Sequence, residues 1–318
     1  MLVRFWGTRG SIPVAMTSAE VKRKLVAALV AAAGRGLDTP GKARAFVEEE
    51  LAFSVSHTFG GNSSCVQIET GGSDYVLCDL GSGARVLGND VLATGGPNGH
   101  RFHVFMSHLH WDHINGFPFF MPAYLSGNHV RIYGCHDALE EAFRRQNAPP
   151  SFPVDFSRMD ARIEFIRLEP EHDYDIAGLR VRAKRQHHGG DSYGYRIERA
   201  GEVVVYSTDS EHKQDDPKEV EAFVEFFREA DLVIFDAQYS LADAISVKED
   251  WGHSSNVVGV EMCQLARAKR LCLYHHEPIF DDERIAALLA ETRRLEEITR
   301  GDHRVEIHAA YDGLELTL

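Results

Sequence analysis

The chain lacks paired cysteines, an excess of basic charge and long apolar runs, and each lack removes a class of protein. Its five cysteines (Cys65, Cys78, Cys135, Cys263, Cys272) are scattered, with no Cys-x-x-Cys pair. An odd, unpatterned set argues for a reducing compartment, hence a cytoplasmic location. Most of them sit in apolar runs, where a free thiol behaves as a small buried hydrophobe. Lys and Arg number 34 against 48 Asp and Glu, giving a net charge of −14. Such a surface repels nucleic-acid backbone and anionic membrane, so nucleic acid is not the expected partner. A local site could still bind phosphate if bound cations dominated its field. No stretch is long enough and free enough of charge to span a bilayer. Lys22-Arg23-Lys24 followed by apolar Leu25 to Ala33 imitates a secretory signal. Cleavage there would remove Val3-Arg4-Phe5-Trp6, a good first strand, and Thr17-Ser18-Ala19-Glu20 instead has capping-box spacing. Val21, Leu25, Ala28 and Leu29 then recur at helical spacing, with Gly34 placed to close the helix.

What is present is concentrated in one run, Ser107-His108-Leu109-His110-Trp111-Asp112-His113. His108 and His110 are two residues apart, so at an extended strand end both imidazoles fall on one face. Asp112 and His113 follow at once, so the chain must turn there and offer further donors. Imidazole nitrogen and carboxylate oxygen are ligands for zinc, manganese and iron. The apolar stretch before the run (Phe102, Val104, Phe105, Met106) supplies a rigid strand to mount it on.

Strands and helices alternate with short polar breaks. The patterns predict strands over 2–6, 65–69, 75–80, 102–107, 130–134, 162–168, 179–186, 193–198, 202–207, 232–236, 271–274 and 305–310. They predict helices over 217–229, 255–268 and from 281 to just before Gly301. Asp216 and Pro217 form a natural helix start. The segment 17–53 reads as a two-helix insertion in an otherwise single domain over 1–318. A lid, a contact between two copies (a homodimer) or a plain surface decoration are its alternative uses.

The pattern His-x-His-x-Asp-His resembles the signature of the metallo-β-lactamase superfamily. These are hydrolases of α+β class, built as an αββα four-layer sandwich with a metal site at one edge of the two sheets. The resemblance implies further ligands elsewhere in the chain. Asp209, after the apolar strand Val203-Val204-Val205-Tyr206, is the implied bridging ligand. His187 and His188 end a strand together, and adjacent residues face opposite ways, so at most one reaches the metals. Gly194-Tyr195-Arg196 stands at a distance that resembles ribonuclease Z-type phosphodiesterases and selects His188. The same comparison selects His275 over His276. His253, just before a helix, and Asp236, at the end of Leu232-Val233-Ile234-Phe235, resemble a proton-donating histidine and the acid that orients it. His253 as a mere neighbour of the helix start is the bland alternative. Asp79, in Asp79-Leu80-Gly81-Ser82-Gly83, resembles a motif whose task is to fix the ligand loop. Gly7-Thr8-Arg9-Gly10-Ser11 and Gly60-Gly61-Asn62-Ser63-Ser64 match the same branch.

The resemblance thus implies one metal on His108, His110 and His188 and a second on Asp112, His113 and His275, with Asp209 between them. Zinc is the first expectation, and manganese and iron fit the same donors. A hydroxide held by both metals would attack phosphorus, Asp112 would serve at the reacting centre, and His253 steadied by Asp236 would protonate the leaving alkoxide. The expected substrate is a small or cyclic phosphodiester. Hydrolysis of a carboxylic ester, thioester or lactone is the alternative reaction, and a metal-binding sensor without turnover is the alternative from another class.

Overall fold

A computed structural model describes residues 1–212, 216–238 and 252–318. Alternation of apolar and polar residues makes β1 (Leu2–Gly7) two-faced: Val3 and Phe5 are buried, and Leu2, Arg4 and Trp6 are only partly covered. β1 pairs antiparallel with β2 (Cys65–Glu69) on one side and with β14 (Glu315–Thr317) on the other. Beyond β2 lie β3 (Asp74–Cys78), β4 (Arg101–Phe105), β5 (His129–Gly134) and β6 (Arg162–Arg167). The order of this first sheet is β14-β1-β2-β3-β4-β5-β6.

The second sheet contains β7 (Asp173–Ile176), β8 (Leu179–Gln186), β9 (Ser192–Arg199), β10 (Glu202–Ser207), β11 (Leu232–Asp236), β12 (Arg270–Tyr274) and β13 (Glu306–Ala309). Its order is β13-β12-β11-β10-β9-β8-β7. The inner faces meet in one core, where Phe5, Val66 and Phe105 pack with Tyr195, Val204, Tyr206 and Tyr274. Each such side chain contributes roughly 1.5–3 kcal/mol by leaving water. The helix Gly83–Gly95 covers the outer face of the first sheet through Ala84, Leu87 and Val91. Helices Pro217–Phe227, Asn256–Ala266 and Asp282–Thr299 cover the second through Phe223, Val260 and Leu288. The result is the αββα sandwich. All five cysteines are buried and unpaired.

Strand direction places the functional residues. β10, β11 and β12 are parallel, and β8 runs with them because β9 is antiparallel to both β8 and β10. The residues that follow β8, β10 and β12, and the last residue of β11, therefore lie along one edge of the second sheet.

Several elements differ from the sequence expectation. β7 and β14 were not expected, because Asp173-Tyr174-Asp175 carries little apolar signal and three-residue β14 is too short for alternation to register. The helix Gly83–Gly95 follows a glycine loop that reads as a turn. Helix Ser18–Ala32 does carry the Thr17/Glu20 capping box, yet it buries no residue, and Leu25, Val26, Leu29 and Val30 are 58–71% exposed. Its apolar periodicity faces water. No helix among the described residues is long and apolar enough to cross a membrane.

Candidate metal centre

His108, His110, Asp112 and His113 sit where the chain leaves β4, turning through a four-residue helix Trp111–Ile114. They meet His188 beyond β8, Asp209 beyond β10 and His275 beyond β12. The donor atoms fall into four overlapping groups, two that bring in His253 (with His188 and Asp209, and with Asp236 and His275) and two built from the seven residues just named. His108, His110 and His188 make one; Asp112, His113, Asp209 and His275 make the other, and within each group the atoms lie within 4.8 Å of one another. Asp209 divides its two oxygens between them. Oδ1 is 3.3 Å from Nε2 of both His113 and His275, and Oδ2 is 3.7 Å from Nε2 of His108 and 3.8 Å from that of His188.

The donor set fits divalent cations on its own geometry. His110 Nδ1 and His188 Nε2 approach to 3.2 Å, and the Nε2 atoms of His113 and His275 to 3.4 Å. Nitrogens that close repel unless a proton or a cation lies between them. His108 Nε2 is buried and has no hydrogen-bond partner among the described residues, an arrangement that proteins otherwise avoid. The ring orientations are held from behind. His113 Nδ1 lies 2.7 Å from Asp79 Oδ2, so it is the protonated nitrogen and Nε2 turns to the cluster. His188 Nδ1 donates to the Gly252 carbonyl at 2.8 Å.

Buried Asp79 also accepts from the Ser107 N–H (2.7 Å), the Ser107 hydroxyl (2.6 Å) and the Tyr206 hydroxyl (2.8 Å). Asp79, Asp209 and His275 all have left-handed backbone, with φ of 60°, 47° and 59°. L-residues adopt this reluctantly, and it concentrates at sites where the surroundings dictate geometry.

Charge is arranged unevenly. Burial lowers the pKa of His108 well below the histidine norm, with His113 adding repulsion. For His113 burial acts in the same direction, but Asp112, Asp209 and Asp79 outweigh it and the pKa rises well above the norm. Asp112 and Asp209 are also desolvated, yet their histidine neighbours hold both carboxyls well below the usual range. His253 Nδ1 lies 2.8 Å from Asp236 Oδ2. Burial opposes charge on His253, but Asp236 prevails and the pKa rises to about 9. The His253 ring stacks on His275 at 5.3 Å and meets His188 edge-on at 5.0 Å, so it stands over both groups.

The two neighbours passed over by the sequence reading lie elsewhere. His187 Nε2 is 2.6 Å from Glu219 and turns away from the cluster. His276 is buried, with Nε2 at 2.8 Å from the Ala310 carbonyl. One contact was missed. The N–H of Ser11 donates to Asp112 Oδ2 at 2.8 Å. The signal for it was only the Gly10-Ser11 pair after the first strand. Beside His188 and Gly189, a cavity of about 580 Å³ opens between Lys184, Arg185, His187 and Glu219.

Comparison with known proteins agrees with this architecture. The family described as "Beta-lactamase superfamily domain" matches residues 93–276, more than half the chain. A ribonuclease Z from Geobacillus kaustophilus is 24% identical over 237 residues, covering 60% of this chain and 75% of that protein. The metallo-β-lactamase fold protein YhfI from Bacillus subtilis superposes with a TM-score of 0.65 at 19% identity, covering 99% of this chain and 98% of that one. Human tRNase Z, short form, superposes with a TM-score of 0.59 at 18% identity, covering 100% and 99%. With relatives so named, the acidic net charge gives no ground for setting nucleic acid aside. The chain belongs to the β-lactamase superfamily domain family, and it is a metal-dependent hydrolase of the metallo-β-lactamase fold, similar to ribonuclease Z.

Proposed function

We propose that the chain is a two-metal phosphodiesterase acting on a small or cyclic phosphodiester. The observation that carries this is the division of Asp209 between the two donor groups, with the His253–Asp236 pair standing over both. His108, His110 and His188 would hold one ion, Asp112, His113 and His275 the other, and Asp209 both. Zinc suits these donors best, with manganese and iron as substitutes. Bound there, two divalent ions would activate water near neutral pH and draw charge from the phosphoryl oxygens.

The chain's own groups supply the rest. Against the effect of burial, Asp236 raises the pKa of His253 to about 9, which favours a protonated ring at neutral pH. Its Nδ1 is committed to Asp236, so the proton given to the departing alkoxide leaves from Nε2. A thioester expels a thiolate, which needs that proton far less, so the pair disfavours that alternative; a carboxylic ester or lactone expels an alkoxide as a phosphodiester does, and the substrate panel separates them. Asp112 remains ionised, so it serves the reacting centre by charge and position rather than by carrying a proton. Lys184 and Arg185 line the adjacent cavity, whose size suits a small phosphorylated molecule.

The test joins elemental analysis to a panel of bis(p-nitrophenyl) phosphate, cyclic nucleotides, precursor transfer RNA, a thioester and a lactone. The reading requires two ions per chain and turnover of the first two substrates. His253→Ala should lower cyclic-nucleotide turnover by about 10²–10⁴-fold with metal content unchanged, and bis(p-nitrophenyl) phosphate turnover far less, because p-nitrophenolate leaves without a proton. Preference for the precursor RNA would overturn the choice of a small substrate in favour of RNA processing, in keeping with the ribonuclease Z relatives. Turnover of only the lactone or thioester would overturn phosphodiester chemistry altogether.

A further inference from the structure

We propose that Gly10 and Gly252, 242 positions apart in the chain, are positioning residues that each seat one half of the metal centre. On this view a single added methyl group disables one half and spares the other. The inference rests on the two-ion reading above.

Gly10 belongs to the buried half. A Cβ on Gly10 would lie 2.5 Å from Nδ1 and 2.6 Å from Cε1 of His275, closer than such contacts occur. The segment cannot step back. The Gly10 N–H donates to the His276 carbonyl at 3.0 Å, and the His276 N–H donates to the Thr8 carbonyl at 3.0 Å. Buried Arg9 anchors the same turn by donating to the carbonyls of Gly60 (2.9 Å) and Phe280 (2.7 Å). The imidazole is therefore the part that must yield. The next residue, Ser11, donates its N–H to Asp112 Oδ2. One short segment thus supports two donors of the group Asp112, His113, Asp209 and His275.

Gly252 belongs to the histidine half. A Cβ there would lie 2.5 Å from Nδ1 of His188. Its φ of 79° is one that only glycine adopts easily. Its carbonyl accepts the Nδ1–H of His188 at 2.8 Å, so the clash falls on the hydrogen bond that aims this ring. The physical requirement is the same in both places. A ring that must present one nitrogen within a few tenths of an ångström is braced against bare backbone, which has no rotamers to shift.

The experiment compares ions per chain and chelator-competition affinity in wild type, Gly10→Ala and Gly252→Ala, all loaded with zinc. Each variant should keep one ion at an affinity within about threefold of wild type and bind the other 10–100-fold more weakly. Adding His110→Ala should release the ion kept by Gly10→Ala, and adding His275→Ala the ion kept by Gly252→Ala. A general loosening of the fold would weaken both ions together in each variant, and that result overturns the inference. So does full retention of both ions. If Gly10→Ala fails to fold, the double variant with His275→Ala decides: removing the ring should restore the melting temperature to that of His275→Ala alone. A double variant as damaged as Gly10→Ala overturns the assignment. A wild-type chain with one ion would sink the two-ion reading instead.

Discussion

The two halves of the centre use similar side chains in different surroundings. Asp112, His113, Asp209 and His275 are all buried, whereas of the other three His108 is buried, His188 half-buried and His110 exposed. The sealed half holds two carboxylates in a low-dielectric setting, and this raises His113 strongly. The open half holds neutral imidazoles that burial drives downward. Burial alone therefore does not decide the charge of a histidine here; the nearest carboxylate does. On the two-ion proposal, the sealed half would retain its cation and the open half would exchange one and admit a ligand.

The largest expected effect removes the residue the halves share. Asp209→Asn should bring turnover to background and lower metal content in both halves, checked by elemental analysis; loss confined to one half would break the symmetry claimed for its two oxygens. Next comes the group standing over both. Asp236→Asn should reduce kcat by about 10²–10⁴-fold with both ions kept, and steady-state kinetics on metal-loaded protein decides it. The halves should also unload at different rates. A chelator time course should show the open half losing its ion first and the sealed half later, while Tm falls in two stages as native-state ligands are lost. A single phase would mean that the difference in burial has no kinetic consequence.

A fourth prediction isolates burial from charge. His212 is buried like His113, but it stacks on Phe235 and meets Phe223 edge-on, and among the described residues neither ring nitrogen has a hydrogen-bond partner. Burial, with a smaller push from His187, lowers its pKa to about 3. Between that value and the unfolded value near 6.5, the unfolded chain binds a proton that the folded chain refuses. Stability must then fall as pH falls through this window, by about 1.4 kcal/mol per unit from this one group. Urea unfolding at pH 7 and pH 5, with chelator present throughout, should show a smaller loss for His212→Phe than for wild type. The smallest effect lies at the open rim. Trp111 is 82% exposed between two members of the cluster. Trp111→Ala should raise KM for an aryl or nucleotide substrate about fivefold, within the range of ring stacking, and leave a base-free phosphodiester unaffected.

How much of this could be read from the sequence depended on whether the information was local. The run His108 to His113 was legible because its members are neighbours. Strand alternation showed that one of His187 and His188 had to turn away, and the partner that takes His187, Glu219, lies on a later helix. Asp79 was legible as a support, but its Tyr206 partner, 127 positions away, was not. The roles of Gly10, Ser11 and Gly252 were illegible for a different reason, although Gly10 and Ser11 stood in a run that matches the family branch. The three act through a missing Cβ, an N–H and a carbonyl, and residue type says little about where a backbone group points. The helix Ser18–Ala32 shows the converse. Its capping box was readable and is present, while its apolar spacing did not reveal that those residues would remain in water.

The junction between the start of the chain and β12 has a consequence for folding order. The Tyr274 hydroxyl donates to the Gly7 carbonyl across 267 positions, and His275 follows directly. Contacts of such high sequence separation form late, because a large loop must close before any of them is rewarded. Partly folded chains would lack a complete cage, so ion capture would report that the two ends of this long circuit have found each other.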